Sequence, residues 1–419
     1  MLDRKSAPPF SALTNFQLPE PKVTQLSNGC SFVHLDTVKQ DVIKIELLFK
    51  AGKWFEPAPG VSHFTAQLLD KGIPGKSAYQ IATWFDLFGA SVEINAGLDF
   101  TSVSLYALAS NVHETLPLFF QLLTQPVFSE DELAQSKAIF IQNLKLNLEK
   151  NSFVAGRNIR RNIFGEVHPY GAILDEAHVG AISSNSLSEY FSKRFSLYEV
   201  YVTGPLRVST GNQLREMLSQ LKADSDSTKI NFSINNHGLV EHVEKEESIQ
   251  TSIRLGKRSI NRTHSQYPHF ILLNHILGGY FGSRLMKNLR EEKGLTYGIH
   301  SSVSTFANDS VFMIGTDVNK QDRTLAIDEI KKEIEALCSA PVTDSELALA
   351  RNHLLGGIQL DAANPFSIMD KIKMLRTYNL KSDYYNSLFT KIMETDSQEL
   401  KILATLHLTT ETLHIVSVG

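Results

Sequence analysis

In the stretch HFTAQLLDKG, residues 63–72, a histidine is followed three and four positions on by Ala66 and Gln67. Side chains at i and i+4 of a helix share a face. Two histidines at that spacing can ligate one zinc ion, with a carboxylate between them as general base on the bound water. Here the base position holds Ala66, which cannot accept a proton, and the second ligand position holds Gln67, a neutral carboxamide that competes poorly with imidazole or carboxylate. His63 by itself does not hold zinc, since even an open catalytic site uses three protein ligands. On their own chemistry these residues describe a packed amphipathic helix.

A second constellation lies in LGGYFGSRLMKNLREEKGLTYGIHSS, residues 277–302. Gly278, Gly279 and Gly282 form a turn of close backbone approach, but no GKS/T follows and the turn does not succeed a strand in a βαβ unit, which excludes a phosphate loop. Arg290 and Tyr297 flank Gly294, placing Arg290 at a helix end and Tyr297 at a strand start. A guanidinium and a phenol at one junction can hydrogen-bond a carbonyl or a developing oxyanion. The same spacing suits a surface arginine beside a half-buried tyrosine, and spacing alone does not separate the two. His264, His269 and His275 do not share a helical face, HPYG (168–171) reads as a turn with an aromatic anchor, and no GxSxG elbow or Cys/His nucleophile pair occurs.

The elements that must position these groups come in two copies. QPVFSEDELA (125–134) resembles APVTDSELA (340–348), Asn151-Ser152-Phe153 resembles Asn364-Pro365-Phe366, and YVTG (201–204) resembles VSVG (416–419), all at offsets of 213 to 215 residues. Alternating runs at 23–35 and 42–52 predict paired strands, followed by a helix around residue 63 and another over 77–88 stopped by Gly89. A strand pair near 90–108 precedes helices over 112–124 and 130–149, the latter with a Ser129/Glu132 capping box. The second half repeats this order, with helices over 322–338 and 344–360. The fold class is therefore α+β: two tandem homologous domains, each a mostly antiparallel sheet of about five to six strands with helices on one face. The expected organisation is an N-terminal extension (1–20), a first domain (21–222), a polar linker (223–238) and a second domain (239–419).

The 419 residues, 42% hydrophobic and 21% charged, are enough for two cores. A net charge of −4, with no Lys/Arg run longer than two, excludes a nucleic-acid footprint. Cys30 and Cys338 have no partner spacing and read as reduced, small buried residues rather than a disulfide or thiolate metal cluster. No secretory apolar run and no 18-residue apolar segment occurs, so the expectation is no membrane contact and a cytoplasmic location, with the periplasm open to a trimmed chain.

The order of LSNG, the stretch at 63–72, PVFSEDEL, HPYG and LGGYFGSRL with LREEKGLTYG resembles the insulinase and pitrilysin (M16) family of zinc peptidases, in the short two-domain form of bacterial M16B-type subunits, over about residues 18–419. The resemblance puts the family's HxxEH on His63, Phe64, Thr65, Ala66 and Gln67, and its distal glutamate ligand on Asn143; only His63 is kept. It implies that this chain binds no cofactor and that zinc belongs to a partner subunit carrying HxxEH. It also implies that Arg290 and Tyr297 reach that site in trans within a heterodimer, with a homodimer expected when the chain is alone. Gly278, Gly279 and Ser283, and Glu93 and Ile94 on the strand whose usual Asn-Ala pairs with substrate, are the implied peptide-binding positions. A noncatalytic peptide-binding or core subunit is the alternative.

Overall fold

The computed structural model describes residues 16–36, 41–226, 230–235 and 238–419. The expected extension and linker fall in part on residues 1–15, 227–229 and 236–237, which lie outside the described residues.

The first sheet contains β1 (Lys22–Gln25), β2 (Ser31–Leu35), β3 (Val42–Phe49), β6 (Ser91–Ala96), β7 (Thr101–Leu108) and β8 (Leu197–Thr203), in the order β1-β2-β8-β3-β7-β6. A short hairpin, β4 (Gly72–Ile73) and β5 (Lys76–Ser77), stands apart. The second sheet is β9 (Val240–Val243), β10 (Gln250–Arg258), β11 (Ile299–Thr305), β12 (Ser310–Asn319) and β13 (His414–Val418), in the order β11-β12-β10-β13-β9. With β1 set aside the two orders are the same, the structural form of the sequence repeat. Each sheet is antiparallel except for one parallel pair, β2 with β8 and β13 with β9.

In the first domain the helices are α1 (Val61–Leu68), α2 (Ala78–Leu87), α3 (Val112–Thr124), α4 (Glu130–Leu148), α5 (Asn151–Phe164), α6 (Glu176–Ala181), α7 (Ser184–Arg194) and α8 (Val208–Ser219). In the second they are α9 (Tyr267–Asn274), α10 (Arg323–Ser339), α11 (Asp344–Leu360), α12 (Pro365–Thr377), α13 (Tyr384–Glu394) and α14 (Ser397–His407). Ser129 accepts from the Glu132 amide, but the reciprocal half of the expected capping box is not made. Two segments of the second domain, His275–Gly279 and Met286–Glu292, are π-helical turns. Such turns recur at functional sites.

Each sheet carries its own domain's helices on one face, as expected, and a helix of the other domain packs on the opposite face. On β3, Ile43, Ile45, Leu47 and Phe49 turn into the first domain's own helices, and Glu46 and Leu48 on the opposite face meet α12 of the other domain. Leu48 packs there with Val33, Leu35, Tyr201, Met369 and Ile372. Reciprocally, Ala155, Ile159, Ile163 and Phe164 of α5 pack on Val311, Val416 and Val418 of the second sheet. Gly256 on β10 makes room, since a Cβ there would stand 3.2 Å from the Ile163 Cδ1. Double coverage explains why VIKIELLF is buried almost throughout and does not alternate.

Ion pairs fix the register of both exchanged helices. Lys373 of α12 reaches the buried Glu46 at 2.6 Å, and the Arg376 Nε donates to the buried Glu199 at 2.6 Å. From α5, the Arg161 Nη2 donates to both carboxylate oxygens of Glu241 at 2.9 and 3.0 Å, joined by Asn158 and Asn162. We predict that Ile159→Ala, which opens a void between the domains, destabilises the whole chain by about 2–5 kcal/mol. Urea unfolding followed by circular dichroism should show one earlier transition; an unchanged midpoint would contradict the packing role of α5.

Candidate functional site

Helix α1 begins after Gly60 (φ +93°), where the half-buried Glu56 carboxylate accepts from the Gly60 amide (3.1 Å), the Ser62 amide (3.2 Å) and the Ser62 hydroxyl (2.7 Å). Burial pushes the Glu56 carboxyl up, against the bonds from Ser62 and the field of Lys53. This anchor sets the face that α1 presents to α4. His63 lies on that face with its ring edge-on to Phe64 (5.1 Å) and to Phe140 of α4 (5.3 Å). Burial lowers its pKa, favouring neutral imidazole. Ala66 is buried, Gln67 is half-buried with its Oε1 sealed from solvent and unpartnered, and Asn143 is exposed on α4.

Among the described residues, no three His, Cys, Asp or Glu side chains gather as ligands of a metal ion would. One imidazole boxed by phenyl rings, a methyl group and two carboxamides do not fit zinc. No catalytic step can be drawn through a metal at this helix.

The second constellation is well supported from below. Arg284 forks onto Glu346 of α11 at 2.7 and 2.8 Å, Asn288 bonds Glu333 at 2.7 Å, and Leu289 is fully buried. These contacts pin the turn Met286–Glu292, on which Arg290 is exposed with its guanidinium 5.0 Å from the Phe281 ring centroid. The chain then reverses at Gly294 (φ +63°). Tyr297 does not start the strand as expected: β11 begins at Ile299, and Tyr297 sits in the preceding loop, 89% exposed. Thr296 holds that loop, donating to the Asp317 carbonyl (2.8 Å) and accepting from the Gly298 amide (3.1 Å).

Gly278 approaches β11 so closely that a Cβ would lie 2.7 Å from the Ser301 amide nitrogen, and one on Gly279 would lie 2.6 Å from the His275 Nδ1. Ser283 is buried, its hydroxyl without a partner among the described residues. His275 stacks on Tyr280 (4.8 Å) and bonds His353 (3.0 Å), and burial with the neighbouring His353 pushes its pKa down to about 4. Glu93 and Ile94 lie on β6, the free edge of the first sheet, Glu93 exposed and Ile94 packed on the core. An Asn-Ala pair, Asn95-Ala96, ends the same strand. The expected anchor in HPYG is confirmed: Tyr170 is buried among Trp54, Phe164 and Phe306, its hydroxyl bonded to Asp99. Cys30 is a buried free thiol, pushed up to about 11 by burial, and Cys338 is free and half-buried.

Sequence reasoning missed a group of cations between the domains. Lys53, Arg157, Arg160 and Arg254 line a cavity of about 620 Å³ together with His300 and Asn143. The run RNIRRN at 157–162 was the available signal.

Taken together, the paired sheets, the altered helix motif and the Arg/Tyr junction define a peptidase fold without its metal ligands. Comparison with known families agrees. A model described as insulinase (peptidase family M16) matches residues 32–166, and one described as peptidase M16 inactive domain matches residues 181–354. The chain belongs to the M16 insulinase family. It is 23% identical over 318 residues to an uncharacterized zinc protease, YmxG, of Bacillus subtilis, covering 74% of this chain and 76% of that protein. It is 24% identical over 307 residues to a non-peptidase homolog, YmxG, of Helicobacter pylori, covering 71% and 70%. A solved peptidase M16 inactive domain from Pseudomonas fluorescens superposes with a TM-score of 0.85 at 24% identity, covering 95% of this chain and 98% of that one. The periplasmic protease PqqL of Escherichia coli superposes at 0.75 and 13% identity over 97% of this chain and 46% of that one. No helix among the described residues is long and apolar enough to cross a membrane.

Two outcomes follow for the purified chain. Elemental analysis should find well below one zinc per chain, whereas Ala66→Glu combined with Gln67→His and Asn143→Glu should raise that ratio; stoichiometric zinc in the wild type would contradict the ligand argument. A folded-state pKa of His275 near 4, below its ordinary 6.5, means that the unfolded chain takes up the proton first. Stability contributed there is lost as pH falls from about 6.5 to about 4, and His275→Gln should flatten that loss in urea unfolding.

Proposed function

We propose that this chain is the subunit of a two-chain zinc peptidase that carries no metal of its own. Its partner would be a homologous chain with an intact HxxEH, and Arg290 and Tyr297 would serve the peptide and the tetrahedral intermediate at that partner's zinc. The observation that carries the reading is the state of those two side chains. Both are held out on packed, hydrogen-bonded supports, and among the described residues neither side chain forms a hydrogen bond or an ion pair with the rest of the chain. A guanidinium and a phenol left free in this way are available to a group that the chain does not itself supply.

The free edge of β6 supports an extended peptide as substrate, since strand addition needs an unpaired edge. Glu93, Ile94 and the turn at Gly278, Gly279 and Ser283 are the proposed peptide-facing positions. A second reading, a noncatalytic core or peptide-binding subunit that dimerises with itself, is favoured by the relative described as a non-peptidase homolog. In the reconstituted complex, Arg290→Ala or Tyr297→Phe should lower kcat roughly 100- to 1000-fold, the effect of removing one oxyanion donor, with the melting temperature retained. Wild-type turnover in both variants would reject the catalytic reading and leave the scaffold.

A further inference from the structure

The interdomain cavity is the strongest feature that the proposed function does not use. Its volume of about 620 Å³ lies within the range of small-ligand sites, about 300–1,000 Å³. Lys53, Arg157 and Arg160 reach it from the first domain and Arg254 and His300 from the second, and among the described residues no Asp or Glu lines it.

The neighbouring carboxylates are already committed. Glu56 serves Gly60 and Ser62, Asp175 caps α6 and pairs with His178 at 2.7 Å, and Asp99 takes the Tyr170 hydroxyl and the Ala307 amide. Asp317 stands 3.5 Å from Arg254, which also donates to the Ile253 and Thr316 carbonyls. Among the described residues the Lys53 ammonium bonds only the Ala172 carbonyl, at 2.6 Å, and the Arg157 guanidinium has the Leu174 carbonyl at 3.4 Å and the Phe153 ring. The Arg160 side chain forms no hydrogen bond or ion pair among the described residues. Burial lowers the pKa of Lys53, Arg157 and Arg160 alike; for Lys53 the field of Glu56 opposes this while the two arginines add to it, and for Arg157 the field of Asp175 opposes it. Like charges drawn partly out of water, with the nearby carboxylates Glu56, Asp175 and Asp317 all bonded elsewhere and none lining the cavity, are under-compensated, so the cluster is suited to an anion supplied from outside.

We propose that this cavity binds the oxyanion group of a small ligand, a carboxylate or a phosphate, with Arg157 and Arg160 of α5 as its donors, Lys53 beside them and Arg254 facing them from the other domain. Arg157 and Arg160 are three residues apart on one helix face, and their guanidinium forks match an oxyanion. The site would link the domains through one ligand, whether or not the chain serves a zinc-bearing partner.

The test is calorimetric titration and thermal unfolding of the full chain with three probes: inorganic phosphate, trialanine with a free C-terminal carboxylate, and trialanine amide. Phosphate or the free acid should bind and raise the melting temperature, whereas the amide should bind at least about 10-fold more weakly than the free acid. Whichever of the two anions binds names the ligand class. Arg160→Gln and Arg157→Gln should each weaken binding at least about 10-fold. Should either variant fail to fold, the wild-type Kd must rise with added NaCl. Absence of binding by both anions, wild-type affinity in the folded variants, or a salt-insensitive Kd would overturn the proposal.

Discussion

The exchange of helices α5 and α12 is the constraint on which the rest of the molecule depends. Each domain lays one helix across the far face of the other domain's sheet, so the central strands of both sheets are covered on both faces and neither domain completes its packing alone. The charges that lock the exchange are partly or fully buried. Glu46 and Glu199 on the first sheet need Lys373 and Arg376 from the second domain, and Glu241 on the second sheet needs Arg161 from the first. Removing one partner of such a pair strands a charge away from water, which costs more than an exposed surface pair is worth. The consequence is a fixed relation between the altered helix motif in one domain and the Arg/Tyr junction in the other.

On that frame the two halves have parted in chemistry while keeping one topology. The first half retains the helix, its Glu56 anchor and its packing on α4, but the groups that would hold a metal are now an apolar methyl and carboxamides around one desolvated imidazole. The second half retains a pinned turn and loop that hold Arg290 and Tyr297 out into solvent. Supports of this quality are more than exposed side chains need for solubility. Between the halves the frame encloses basic residues whose neighbouring carboxylates are engaged elsewhere.

Much of this was legible in the sequence because it rests on short-range patterns. The repeat at 213 to 215 residues anticipated two sheets of one topology, and helices α3 and α11 begin and end where periodicity and capping placed them. The loss of the zinc motif was plain from residue type alone. What could not be read was non-local. The helix exchange leaves its only trace in β3, whose buried run conceals which face meets α12, and the sequence pattern around 151–164 marked a repeat without showing where that helix docks. The π-turns at 275–279 and 286–292 carry an α-helical pattern, and it is close packing at Gly278 and the bonds of Arg284 and Asn288 that accompany the departure. The cationic cavity needs residues from positions 53, 157, 160 and 254 at once, a meeting that only the folded chain creates.

The central claim is that this chain completes a site whose metal another chain holds. Its most direct test is peptide cleavage by purified chains: this one alone, a homologous chain carrying HxxEH alone, and the two mixed at equal concentration. The account predicts turnover that appears, or rises at least about 100-fold, only in the mixture. Full activity of the HxxEH chain alone, unchanged by mixing, would contradict it.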